Sequence, residues 1–175
     1  TACSSNGEVK NIRETDETFQ FGAFYTPYNG NAGAPPFGLQ PSDNTLENWQ
    51  NMADCGITTA LPIYDVVEEN VITTLQNAEA VGVKVLVWDH GNPGMHNIIA
   101  RGANLSYEDV RANIEQNGEI LKARYNVYKE YKSFAGIHAY DEPTVEYYNA
   151  IAACQDWWYE NFPEYEFYVN LFPSY

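Results

Sequence analysis

Five short apolar segments recur along the chain, each with a helix-like stretch before the next. They are FQFGAFY (19–25), ITTALPIYD (57–65), VKVLVWD (83–89), FAGIHAY (134–140) and EFYVNLF (166–172). Between them lie NTLENWQNMADCG, ENVITTLQNAEAVG, a long stretch from Ser106 to about Lys132, and VEYYNAIAACQDWWYEN. Asn44 with Glu47, and Ser106 with Asp109, have capping-box spacing; Thr144 can cap the last helix; Gly56 and Gly82 stand where helices stop. Pro62 weakens the second strand, because it cannot donate to a ladder. Strict strand–helix alternation specifies parallel strands with helical crossovers, so the fold class is α/β. Two architectures compete, an open doubly wound sheet and a (β/α)8 barrel of TIM type. A nucleotide-binding sheet wants a tight glycine-rich turn after its first strand. The loop TPYNGNAGAPPFGLQPSD is long and carries neither G-x-G-x-x-G nor G-x-x-x-x-G-K.

Composition narrows the partners. With 45% hydrophobic residues, the 175-residue chain can build one real core. No run reaches the roughly 18 apolar residues of a membrane span. Acids outnumber Lys plus Arg by 24 to 9, a formal net charge of -15, which repels phosphate backbones; no nucleic acid partner is expected. The three cysteines make no framework: their number is odd and no Cys-x-x-Cys occurs. Cys55 and Cys154 read as small buried hydrophobes. His90 and His96 share a loop with no third ligand in view, so no metal and no cofactor are expected.

Ligands of parallel α/β folds bind at the carboxyl ends of the strands. Those ends carry Tyr25 and Tyr28; Tyr64 and Asp65; Trp88, Asp89 and His90; Tyr140, Asp141 and Glu142; and Asn170, Ser174 and Tyr175. Rings, acids and amides dominate, and no Lys or Arg is among them. This set suits a neutral, hydroxyl-rich ligand such as a carbohydrate, with ring faces covering C–H surfaces. Each residue also has a plainer reading. Asp65 can cap a helix, His90 can bond loop backbone, and His138, inside its strand, reads as a core histidine. Glu142 carries most interest. A carboxyl beside Tyr140 at a buried strand end is partly desolvated, and its neighbour Asp141 repels its charge. Both raise the pKa and make a usable proton donor. Equally, it can be a first-turn acid favoured by the helix dipole.

AYDEP resembles the Asn-Glu-Pro signature at the end of strand four in retaining clan A glycoside hydrolases, which are (β/α)8 barrels. LENWQNMADCGITTALP, AEAVGVKVLVWD and YVNLFPSY look like the first helix with second strand, the third strand and the fifth strand of poorly characterised bacterial members. The resemblance spans about residues 19–175 and implies a glycosidase acting on oligo- or polysaccharide, with Glu142 as general acid/base. Asp141 takes the place of the family asparagine, and the substrate is also met by Tyr25, Asp65, Trp88, Asp89, His90, Tyr140, Asn170 and Tyr175. The retaining mechanism needs a second carboxylate about 5–5.5 Å away, which this family supplies from strand seven. A barrel takes roughly 250 residues. The expectation is therefore an N-terminal part with five strands and four helices, completed by a C-terminal half or a second chain.

Residues 1–18 read as a polar tether before a barrel segment over 19–175. TACSSNG resembles the end of a bacterial lipoprotein signal, which implies lipidation of Cys3 and an extracytoplasmic location. Two further readings stay open: a non-catalytic carbohydrate-binding barrel, and an unrelated enzyme on the same fold.

Overall fold

The structure, a computed structural model, describes residues 22–24, 44–61 and 68–171. Cys3, the tether, Tyr25, Tyr28, Tyr64, Asp65, Ser174 and Tyr175 lie outside these residues. The elements run β1 (Gly22–Phe24), α1 (Leu46–Asp54), β2 (Thr59–Leu61), α2 (Glu68–Val81), β3 (Lys84–Val87), α3 (Met95–Arg101), α4 (Tyr107–Tyr128), β4 (Phe134–Asp141), a 3-10 turn (Val145–Tyr147), α5 (Tyr148–Asn161) and β5 (Glu166–Asn170). All four strand pairings are parallel, in the spatial order β1-β2-β3-β4-β5. Sequential order leaves no switch point, which a doubly wound sheet requires. The described chain is instead a singly wound, curled half-barrel.

Helix boundaries follow local chemistry. Ser106 Oγ accepts from the Asp109 amide at 3.1 Å and caps α4; Asp109 Oδ2 accepts from the Ser106 hydroxyl at 2.8 Å in place of the backbone bond of a full box. Such a cap is worth about 1 kcal/mol. At the ends of α1 and α2, Gly56 and Gly82 take positive φ. The following amides, Ile57 and Val83, reach back to Met52 O and Ala78 O, the bond pattern that stops a helix. Two expected caps differ. Thr45, not Asn44, caps α1, accepting from the Asn48 amide at 3.3 Å. Thr144 makes no side-chain cap; a 3-10 turn follows it, and α5 starts at Tyr148.

Alternation along the strands divides the core. Val85, Val87, Ile137, Ala139 and Phe167 pack with Leu75, Ile114, Leu121, Tyr125 and Trp158 of the helices. Leu61, Leu86 and Trp88 are buried outside that cluster. Asn44 ties α1 to α2: its Oδ1 accepts from Trp49 Nε1 at 2.7 Å, and its Nδ2 donates to Thr74 Oγ1 at 2.9 Å. Cys154 is buried as expected, and burial pushes its thiol up to about 12. Cys55 is exposed instead, because it caps α1 at the surface. Among the described residues no helix is long and apolar enough to cross a membrane.

One irregularity positions the carboxyl end of β4. His138 faces Tyr168 in the ladder, but Tyr140 faces Val169 and Asp141 faces Asn170. Ala139 is the extra residue of a bulge, a device that re-aims a strand near its end. Were Ala139 paired with Val169 in an unbroken register, Tyr140 would stand opposite Asn170.

Candidate functional site

The carboxyl ends of β3, β4 and β5 bring six of the expected site residues to one place. Asp141 Oδ1 accepts from Asn170 Nδ2 at 2.7 Å, so two of them pair across the β4–β5 ladder. Glu142 follows with its amide donating to Asn170 O at 2.7 Å. Its φ is 47°, in the left-handed region. Only glycine enters this region freely; another L-residue is strained there by roughly 1–2 kcal/mol. The Glu142 side chain is exposed among the described residues, so the expected desolvation by neighbouring rings is not met there. Tyr140 is half-buried and turned to other rings, not to Glu142: it stacks on His96 at 4.8 Å and lies 4.9 Å from Tyr147. Burial and the Tyr147 hydroxyl push its phenol up.

Trp88 is 6% exposed and presents no open face to a ligand. Its ring stacks on His90 at 5.1 Å and meets the edge of His138 at 4.4 Å. His90 lies 4.1 Å from His96, and His138 lies 5.3 Å from Tyr168. A continuous column of rings results, running from Tyr168 through His138, Trp88, His90, His96 and Tyr140 to Tyr147. His138 is buried, as a core histidine should be. Burial is the largest influence on all three imidazoles and lowers them; His90 and His138 fall to about 4. At neutral pH the column is uncharged. Among the described residues no group of three His, Cys, Asp or Glu is placed to hold a metal.

Asp89 requires a correction. It was expected to face the ligand, but it is buried and its oxygens are taken from inside. Oδ1 accepts from the Gly91 amide at 2.9 Å, and Oδ2 from the Met95 amide at 3.2 Å and Tyr125 Oη at 2.6 Å. Arg124 Nη1 donates to both oxygens at 3.1 Å and to Pro93 O at 2.5 Å. Asp89 therefore anchors the loop that carries His90 and His96. Sequence reasoning missed Arg124, Tyr125, Tyr147 and Tyr168, and weighed His96 only as a metal ligand. The first two stand some 35 residues beyond Asp89, and nothing local marks them.

A cavity of about 630 Å³ opens at the opposite, amino end of the sheet, beside Thr59, Lys84, Phe134 and Glu166. Two of its three lysines are engaged: Lys84 Nζ donates to Lys132 O at 2.6 Å, and Lys129 sits 5.5 Å above the Phe162 ring. In parallel α/β folds this end serves stability.

Compared with known proteins, the chain matches no protein-family model, no curated protein and no solved structure. None of these comparisons links it to the glycoside hydrolases that its strand ends resemble.

Proposed function

We propose that the strand-end site belongs to a glycoside hydrolase of (β/α)8 type, retaining in stereochemistry and acting on oligo- or polysaccharide. The observation that carries this reading is the backbone of Glu142. A glutamate held at φ 47°, exposed, and pinned through its amide to Asn170 O occupies a position where glycine would be cheaper. Strain of this kind persists where the side chain is needed. In the proposed mechanism Glu142 protonates the glycosidic oxygen as the bond to it breaks. The sugar passes to a carboxylate nucleophile outside the described residues. Glu142, now ionised, takes a proton from the water that releases the sugar. Asp141 stands where the resembled family has an amide, and Asn170 supplies an amide beside it. The pair offers acceptor and donor character to one hydroxyl.

The test is Glu142→Gln in the full-length protein, assayed on aryl glycosides of graded leaving-group acidity. Turnover should fall by about 10²–10⁴-fold on poor leaving groups, which need the acid, and far less on activated ones. Added azide should restore turnover, since it needs no general base. Hydrolysis unchanged by the substitution would remove Glu142 from the mechanism. One observation favours a second reading, a carbohydrate-binding barrel without catalysis: Glu142 is exposed. Wild-type protein that binds sugars and never cleaves them would establish it.

A further inference from the structure

All three histidines of the chain lie in the ring column. They come from different elements. His90 follows β3, His96 is in the first turn of α3, and His138 is inside β4. The column is thus one of the contacts through which the loop after β3 and the start of α3 rest on the end of β4, beside the Asp89 anchor and the buried Met95. Burial disfavours the charged form of these rings. A proton on one imidazole would place a cation in a shielded position against two further imidazoles.

The surrounding charges do not relieve this. From β3, Asp89 faces His96, but Arg124 of α4 neutralises it and Tyr125 hydrogen-bonds it. From β4, Asp141 faces His96 and His138. The 3-10 turn brings Tyr147 and Glu146 to Tyr140, and β5 brings Tyr168 to His138. Asp89 and Asp141 favour the protonated rings, yet burial outweighs both.

We propose that the column is an acid-released clasp, which holds the loop after β3 and the start of α3 onto the end of β4 while its imidazoles are neutral and lets go when they take up protons. The sign follows from linkage. A released imidazole titrates near its ordinary 6.5, whereas His90 and His138 in the closed column titrate near 4. The released state binds more protons between those values. Closure is fully favoured above 6.5 and loses its advantage as pH falls towards 4. The strand-end site is then assembled at neutral pH and taken apart in acid. The clasp does not depend on which ligand the site takes, so its failure and that of the hydrolase reading are separable.

The experiment is a proton NMR titration of the three histidine Cε1–H resonances in the intact protein, from about pH 8 to about pH 3, with His→Gln variants to assign them. Hydrogen exchange of amides 90–97 and of α4 is followed in parallel. The expected result is two resonances that stay neutral to near 4. Exchange over 90–97 should open in the same range while α4 stays protected. In His90→Gln, which removes a half-exposed ring, opening should move to lower pH. Titration of all three near 6.5 would overturn the proposal. So would an opening midpoint that does not move in His90→Gln, or loss of α4 protection at the same midpoint, which would mean acid unfolding of the whole domain. Should that variant fail to fold, the wild-type titration and exchange decide alone.

Discussion

The two ends of the same parallel sheet treat their polar groups in opposite ways. At the amino end, exposed Lys84 reaches a backbone carbonyl and half-buried Lys129 lies over Phe162 and Tyr165. These arrangements satisfy groups that the fold happens to bring there. At the carboxyl end three imidazoles are desolvated, one carboxylate is locked under an arginine, and a glutamate is held in a left-handed conformation. A chain under selection for stability alone would relax such states. Under the proposed function, charge and strain kept at one end and resolved at the other are what a working surface and a supporting one require.

This contrast can be attacked at its strongest point first. Asp89→Ala leaves Arg124, whose side chain is 12% exposed, without its anion and Tyr125 without its acceptor. Breaking a buried pair from one side costs about 3–5 kcal/mol, to be read from urea unfolding. Arg124→Met in the same background should recover part of the loss. A cost under 1 kcal/mol would mean that Asp89 anchors nothing. Glu142→Gly should go the other way, raising stability by up to about 1 kcal/mol through relief at φ 47° while hydrolysis disappears. If stability drops instead, the glutamate is there for folding, and the contrast fails at its centre. The smallest effect belongs to the amino end: Lys84→Met should change unfolding free energy by no more than about 0.5 kcal/mol. A larger loss would show that this end, too, holds a costly arrangement.

Much of the architecture is legible in the sequence because it rests on short-range rules. Period and alternation locate β3, β4 and β5, and the Ser106–Asp109 spacing locates the start of α4. Asn44 and Thr45 show where that legibility ends. Both are good capping residues, and only the position of Trp49 and Thr74 decides that the first goes inward. Helix α3 has seven residues, too few for a period to stand out behind a glycine- and proline-containing loop. Within the candidate site, Trp88, His90, Tyr140, Asp141, Glu142 and Asn170 are found by the rule that strand ends meet ligands. Their partners are not, because ring contacts such as His96 on Tyr140 join residues far apart in sequence. The inward turn of Asp89 is hidden for the same reason: its arginine is on another helix.

The bulge at Ala139 gives the site an arithmetic. Asp141 meets Asn170 because β4 spends one more residue than β5 over the same length of ladder. Which carboxylate reaches the amide is therefore decided by counting, before any side chain is chosen. A one-residue insertion between Tyr140 and Asp141 would leave every catalytic candidate in the chain and set the new residue, not Asp141, opposite Asn170, whereas loss of Ala139 would remove the bulge and keep that pairing. For this protein, an insertion in β4 after its bulge is a more severe change than a substitution, and tolerance to it measures how far the strand's length, apart from its composition, has been fixed by use.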